Sequence, residues 1–297
     1  MPHRSCRALI AAFALALGAC AATAQDKASF LQSYEWTRPE KAFGGFSALE
    51  LAEDGRGFIA LSDRATLWRG QLARDASGQI VGVQTAGPVV LHDSLGRALR
   101  DHTGDSEGLA VTKGGVLYIS FEGLARVSVF PTDAGPAGLL PRPEAFRFFP
   151  RNGALEALAV AADGTLYTLP EEVPGSVGVT PIWRYRSGLW SQPFAISRDG
   201  DWKPVGADFG PDGRFYLLER DFRGLFGFAS RVRVFDITGD KISAGEVLLQ
   251  SAAGQFDNLE GLAVWRDAKG AIRLTMISDD NFLPIQRTEI VEYSVNR

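Results

Sequence analysis

Cysteine is almost absent from this chain of 297 residues, and its two cysteines, Cys6 and Cys20, both lie near the N-terminus. The remainder therefore has no thiol, which excludes a disulfide framework, thiol catalysis and a cysteine-ligated zinc site there. Histidine is equally scarce, since only His92 and His102 occur after the first 24 residues. A fold formed by the rest of the chain must be held together by its hydrophobic core.

The chain also lacks a basic run and, beyond residue 24, an apolar stretch long enough to span a bilayer. Its formal net charge is −4, and an acidic chain without a basic patch is a poor ligand for nucleic acid. We therefore expect no nucleic-acid partner. No window carries a sustained apolar period of 3.6 residues, which argues against a helical fold.

Residues 1–24 have the organisation of an export signal. Arg4 and Arg7 precede an apolar run, which ends in the small residues before Ala24. Because this run is too short for a stable transmembrane helix, we expect a signal peptide that is cleaved after Ala24. The mature chain, residues 25–297, then has the length of a single all-β domain.

A lipoprotein signal is the alternative to a cleaved peptide. The sequence Leu-Gly-Ala before Cys20 fits a lipobox, in which cleavage precedes the cysteine and a lipid is attached to it. Both interpretations predict a periplasmic or secreted protein, and a lipid at Cys20 is its one predicted membrane contact. We expect a monomer.

One sequence phrase recurs along the chain and divides it into repeats. Its clearest copies, at residues 105–111, 154–160 and 258–264, place glutamate before an apolar run, and weaker copies lie at 46–51 and 204–209. Each copy is followed by a turn that contains glycine and then by a second run of β-branched and aromatic residues. A period of about fifty residues in strand-like sequence predicts a β-propeller.

Each repeat has room for four strands, so the five repeats predict an all-β ring of five antiparallel blades. In the first repeat the strands fall at residues 45–51, 57–62, 66–72 and 80–91. The fifth repeat lacks an outer strand, and we expect residues 30–37 to supply it and so close the ring.

The later outer strands are expected at residues 145–149, 192–197 and 246–250. A ring of six blades stays open as an alternative, because segments 91–104 and 222–229 have room for further strands.

Propeller geometry gives the acidic residues of the repeats a shared location. The first strand of each repeat lines the central channel, and the antiparallel second strand returns to the same face. Carboxylates at the starts of first strands and the ends of second strands are therefore expected around one channel mouth. They are Asp63, Asp105, Glu107, Glu122, Glu156, Glu171, Glu172, Glu219, Asp221, Asp257, Glu260, Asp279 and Asp280.

So many like charges in one place require a cation among them, and hard divalent cations prefer oxygen ligands. We predict Ca²⁺ in preference to zinc, which favours histidine and thiolate ligands. The alternative is that each carboxylate only forms a turn or pairs with a nearby arginine. The predicted metal ligands are Asp63, Glu107, Glu156 and Glu260.

Arginines beside these acids indicate the charge of the substrate. Arg64 and Arg220 each follow an acid of the mouth directly, and both are expected to neutralise a small anionic substrate such as a phosphate ester. Glu122 or Glu219 is available as the general base.

A short motif offers a competing chemistry. Residues 104–108 fit the G-x-S-x-G pattern of serine esterases, and Asp101 and His102 lie just upstream. That pattern needs a helix after the serine, whereas the residues after Ser106 read as a strand. The phrase also recurs without serine, so the repeat accounts for the motif better than a nucleophile does.

Several of these motifs together resemble a known family of bacterial exported proteins, whose phytase-like domain is described as having esterase-like activity of phytase. The resemblance extends over residues 43–293 and implies a propeller with calcium-dependent hydrolysis of phosphoesters. A lactonase-type propeller with one central metal and a non-catalytic binding propeller stay open as alternatives. The resemblance is carried by residues 43–50, 60–64, 105–109, 156–158 and 257–262.

Overall fold

The computed structural model describes residues 27–132 and 135–296. The predicted export signal, residues 1–24, lies outside the described residues. In the described part, no helix has the length and apolar character needed to cross a bilayer. The helical segments found there are three short 3-10 turns, at Asp101–Thr103, Glu144–Phe148 and Gly224–Phe226.

Runs of β-branched, aromatic and aliphatic residues form the strands, because such side chains pack well on a pleated surface. Turns rich in glycine and aspartate separate them. In chain order the strands are β1 (Ala28–Glu35), β2 (Phe46–Leu51), β3 (Gly57–Ser62), β4 (Thr66–Arg74), β5 (Ile80–Val90), β6 (Ser106–Val111), β7 (Leu117–Phe121), β8 (Arg126–Phe130), β9 (Gly138–Leu139), β10 (Leu155–Val160), β11 (Leu166–Pro170), β12 (Val179–Arg186), β13 (Leu189–Ser197), β14 (Lys203–Phe209), β15 (Phe215–Phe222), β16 (Phe228–Phe235), β17 (Ile237–Thr238), β18 (Lys241–Ile242), β19 (Glu246–Gln250), β20 (Asn258–Arg266), β21 (Ile272–Asp279) and β22 (Glu289–Val295).

The strands form five antiparallel sheets of four strands each, and the short hairpin of β17 and β18 stands apart. The innermost strands are β2, β6, β10, β14 and β20, and each packs beside the next around a common axis. This ring confirms the predicted five-bladed propeller. The six-bladed alternative is wrong, because segments 91–104 and 222–229 add no blade.

The N-terminal strand closes the ring, as residues 30–37 were expected to do. β1 pairs with β22 as the outer strand of the fifth blade, from Ala28 opposite Val295 to Glu35 opposite Glu289. Trp36 follows β1 and stacks on Phe46 of the first blade, with ring centroids 5.1 Å apart. Closure therefore removes a free sheet edge and joins the fifth blade to the first.

One predicted outer strand is wrong. Residues 145–149 belong to the 3-10 turn Glu144–Phe148, and the second blade ends instead with the two-residue strand β9. Pro143 caps this turn, and proline cannot donate a hydrogen bond to a sheet. Phe146 packs edge-on against Trp183 of the third blade, with centroids 5.2 Å apart. The outer strands expected at 192–197 and 246–250 lie in β13 and β19 and are confirmed.

The core consists of apolar layers between neighbouring blades. Leu61 and Leu67 of the first blade, for example, pack in one buried cluster with Leu109 and Ile119 of the second. Each sheet thus has both faces covered, so its strands are rich in apolar residues on both sides.

Glycine brings the inner strands close together halfway along the channel. A Cβ atom on Gly206 would lie 2.2 Å from the carbonyl oxygen of Glu260, and one on Gly108 would lie 2.5 Å from that of Glu156. The space left on the axis is only about 10 Å³, about the minimum for one water molecule. The two mouths of the channel are therefore separate sites.

Candidate active site

A β-bulge occurs at the same place in every inner strand. Register shifts interrupt the pairing of each inner strand with the second strand of its blade, near the start of the inner strand. A bulge takes a residue out of the ladder and redirects its side chain. We call the residues at this position the bulge ring; they are Ser47, Glu107, Glu156, Val205 and Glu260.

A second set of equivalent residues lies on, or directly after, the second strand of each blade. In each blade, one residue of the second strand pairs with the inner-strand residue just before the bulge, and the set consists of the residue that follows it in the chain. We call it the strand-end ring. Together the two rings define the acidic mouth of the channel, in which seven of the ten positions are acidic. The strand-end ring consists of Asp63, Glu122, Glu171, Arg220 and Asp279.

Three carboxylates of the second blade come closest together at this mouth. Ligand oxygens of Asp105, Glu107 and Glu122 all lie within 4.8 Å of one another. Glu107 and Glu122 are buried, and Glu122 also accepts a hydrogen bond from the backbone N–H of Gly153. Three hard oxygen donors at such spacing suit a divalent cation such as Ca²⁺ or Mg²⁺.

The electrostatics of the mouth favour a bound cation. Burial and then the charges of Glu156, Glu260 and Glu122 raise the pKa of Glu107 well above its usual value. Burial raises the pKa of Glu122 to about 7. Simultaneous ionisation of these carboxyl groups is therefore unfavourable unless protons or a cation offset their charge.

The same cause acts on the first and fifth blades. Burial and the charge of Asp279 raise the pKa of Asp63 to about 7, and burial and the charge of Glu260 raise that of Asp279 to about 8. Ionisation of buried carboxyl groups is thus unfavourable in the first and fifth blades as well as in the second.

Arg220 supplies positive charge inside the mouth. Its guanidinium pairs with Glu260, and it also lies 3.4 Å from Glu171 and donates to the Asn258 side-chain oxygen at 2.9 Å. Lys203 of the same blade pairs with Glu171 at 3.2 Å. The fourth blade is therefore the cationic side of the mouth, opposite in character to the second.

The structure brings all four predicted metal ligands, Asp63, Glu107, Glu156 and Glu260, to this one mouth. Only Glu107 belongs to the tightest group, which Asp105 and Glu122 complete. Glu122, predicted as a general base, thus lies where a metal ligand would.

The two predicted arginines occupy different places. Arg220 lies within the strand-end ring, whereas Arg64 is exposed beside Asp63, with its guanidinium carbon 3.3 Å from the centroid of the Phe282 ring. Stacking on an aromatic ring holds a guanidinium in place while leaving its edge accessible.

Glu219 lies apart from the acidic mouth. Its carboxylate accepts hydrogen bonds from Arg231 at 2.9 Å and from Arg233 at 2.6 and 2.8 Å, and all three side chains are buried. Successive residues of a strand point to opposite faces, so Glu219 faces away from the mouth that Arg220 enters. The structure gives the predicted general base no access to substrate at this position.

The serine of the G-x-S-x-G motif has a structural role. Ser106 is buried, and its hydroxyl donates to the carbonyl of Ser62 at 2.7 Å and accepts from the backbone N–H of Ala65 at 3.1 Å. It joins the first two blades, and β6 follows it where a serine esterase needs a helix.

Comparison with known proteins shows the family to which this chain belongs. A family model described as phytase-like, with esterase-like activity of phytase, matches residues 41–282. A search of curated proteins gives no match.

Solved structures that align with most of this chain are distant in sequence. An α-L-arabinofuranosidase from Podospora anserina, solved with cellotriose, is 14% identical, with 90% of this chain and 98% of that one aligned at a TM-score of 0.54. A PQQ-bound aldose sugar dehydrogenase from Streptomyces coelicolor is 12% identical, with 89% and 98% aligned at a TM-score of 0.47. Virginiamycin B lyase from Staphylococcus aureus is 11% identical, with 89% and 99% aligned at 0.44. At 14% identity, the likeness to the arabinofuranosidase shows the fold alone.

Proposed function

Because the chain belongs to the phytase-like family, we propose that it is an exported, metal-dependent hydrolase of phosphate esters or related esters. The observation that carries this proposal is the group formed by Asp105, Glu107 and Glu122, whose ligand oxygens lie within 4.8 Å of one another in a mouth lined by further carboxylates. The export signal predicted at residues 1–24 supports a periplasmic or secreted location, with or without a lipid at Cys20.

Asp105, Glu107 and Glu122 would hold the metal ion, for which Ca²⁺ is our first candidate. All three donors are carboxylate oxygens, and the burial that raises the pKa of Glu107 and Glu122 supports a role for a cation in offsetting their charge. A divalent cation bound there would act as a Lewis acid toward an ester oxygen and would acidify water at the site.

Other residues of the mouth would transfer a proton and bind the substrate. Glu156 is buried beside Glu122, and burial and the Glu122 charge raise its pKa. A cation held at Glu122 would offset that charge and favour the ionised form of Glu156, which could then accept a proton from water. Arg220 is fixed by Glu171 and Glu260, so its guanidinium is oriented before substrate arrives. An anionic ester bound between the acidic second blade and the cationic fourth blade would have its charge neutralised there.

The experiment is a substrate panel combined with metal analysis. Purified protein is assayed with p-nitrophenyl phosphate, bis(p-nitrophenyl) phosphate, p-nitrophenyl acetate and small lactones, before and after chelation and with Ca²⁺ restored. We expect stoichiometric metal, and phosphoester hydrolysis that is lost on chelation and regained with Ca²⁺.

Glu107→Gln removes one ligand charge, and Asp75→Asn, on an exposed turn of the first blade, is the matched control. Changes around metal ligands commonly cost 10–100-fold, so loss of a ligand should lower kcat/KM by about a hundredfold or more. Activity that survives chelation and Glu107→Gln would refute the proposal. Metal-dependent cleavage of lactones without phosphoesters would replace it with a lactonase.

A further inference from the structure

The mouth opposite the acidic mouth opens into a cavity of about 1360 Å³. The far ends of the inner strands line its floor, including Val111, Val160 and Val264. Ligand sites for small organic molecules typically measure roughly 300–1,000 Å³, so this cavity has room for an extended ligand. We call it the far cavity. The narrow waist of the channel separates it from the acidic mouth.

Two acidic residues on the floor of the far cavity stand at a position where the other three blades have alanine. Glu50 and Asp208 each lie three residues after the bulge ring. The other three blades have Ala110, Ala159 and Ala263 there, all of them buried. The fold therefore accepts alanine at this position, and its own packing does not require the two acids.

Each acid accepts a hydrogen bond from the backbone of a neighbouring blade. Glu50 accepts a hydrogen bond from the backbone N–H of Val111 at 3.0 Å, and Asp208 accepts one from that of Val264 at 2.6 Å. Among the described residues, no ion pair includes either acid. Burial raises the pKa of both, to about 7 for Asp208, and the charge of Asp208 adds to the effect on Glu50. Positive charge supplied by a ligand would relieve this repulsion.

The charge changes sign between the floor and the rim. Apolar residues such as Leu51, Ile59 and Phe209 line the walls. The exposed Lys113 and Arg266 stand at the rim with one acid, Glu53, and Arg69 also lines the cavity, so positive charge exceeds negative charge away from the floor. A complementary ligand carries an ammonium group at its inner end, an apolar body and an anionic group at its outer end.

We propose that the far cavity binds a short peptide with a free N-terminus, placing its ammonium group between Glu50 and Asp208 and its carboxylate toward Lys113 and Arg266. The volume favours a peptide over a single amino acid. This site is independent of the ester hydrolysis proposed for the acidic mouth.

Calorimetric titration tests the proposal with three probes, namely trileucine, N-acetyl-trileucine and trileucine amide. We expect trileucine to bind saturably, acetylation to weaken binding at least tenfold, and amidation to weaken it less. Glu50→Gln and Asp208→Asn should each weaken trileucine binding at least tenfold, whereas Asp75→Asn should not change it.

Lys113→Glu separates the rim from the floor. This exposed substitution should weaken the binding of trileucine but not that of trileucine amide, since only the first has a carboxylate. Absence of saturable binding to the wild-type protein, or equal affinity for the acetylated peptide, would overturn the proposal. Thermal unfolding of each variant shows that loss of binding is not loss of fold.

Discussion

Arg220 occupies in the fourth blade the position that Glu171 occupies in the third, and the guanidinium of one lies 3.4 Å from the carboxylate of the other. The same guanidinium pairs with Glu260 of the fifth blade. One arginine in a ring of carboxylates thus joins three successive blades at the acidic mouth.

Replacing Arg220 with methionine leaves Glu171 and Glu260 buried without this partner. We expect the free energy of unfolding at pH 7 to fall by about 3–5 kcal/mol, as for other broken buried pairs. The loss should be smaller at pH 5, because burial raises the pKa of Glu260 and its protonated form needs no cation. Urea unfolding at both pH values measures this, with Arg220→Lys as the control that keeps the charge. An equal loss at both pH values would assign the effect to packing instead.

The metal-free protein should lose stability as pH rises from about 4 to 8. The pKa is raised to about 7 for Asp63 and Glu122 and to about 8 for Asp279, whereas ordinary carboxyl groups titrate near 4. The unfolded chain releases these protons first, so the folded state holds more protons within this window and stability falls with pH.

Ca²⁺ should reverse this trend, because it replaces the protons. We expect the Tm of chelator-treated protein to be several degrees lower at pH 8 than at pH 5, and Ca²⁺ to raise it more at pH 8. Differential scanning fluorimetry tests both statements. A Tm that rises with pH in the absence of metal would contradict them.

Gly206→Ala should be strongly destabilising. The added Cβ would lie 2.2 Å from a backbone oxygen of the next inner strand, and overpacking of this kind costs about 1–3 kcal/mol or more. Gly82→Ala is the matched control, since its Cβ would be 3.7 Å from the nearest atom, the Cβ of Ala73. Urea midpoints of the two variants give the comparison, and similar values would mean that the inner strands can move apart.

Glu219→Gln separates a structural from a catalytic role. We expect a loss of about 3–5 kcal/mol, because Arg233 is left buried with a neutral partner and Arg231 keeps only its contact with the exposed Asp199 at 2.9 Å. Activity per folded molecule should not change. A hundredfold fall in kcat/KM in a variant that remains folded would restore Glu219 as the general base.

The ring itself could be predicted from the sequence, because each blade repeats one phrase at nearly constant spacing. The closing strand followed from the same count, since the fifth repeat lacked an outer strand that residues 30–37 then supplied. The location of the acids followed as well, because antiparallel strands bring Glu107 and Glu122 to the same face.

The individual roles could not be predicted, because they depend on local register. In the fourth blade Glu219 pairs with Pro204 just before the bulge, so the next residue, Arg220, takes the strand-end-ring position in the mouth. Glu50 and Asp208 could have been found from the sequence, because an alignment of the five copies of the phrase puts alanine at the same position in the other three blades. The close approach of the inner strands does have a signal in the sequence, because glycine follows glutamate at Gly108 and Gly261, where a Cβ atom would lie within 3 Å of its neighbours.

The pairing of β1 with β22 sets an order on biosynthesis. Ser29 donates to the side chain of Asn296 at 2.8 Å, so the first and last described segments meet in one sheet. The ribosome makes β22 after every other described strand, and until then the fifth blade has no third strand on which β1 can dock. A truncated translation product that ends before residue 289 therefore cannot close the propeller, because β1 has no strand to pair with.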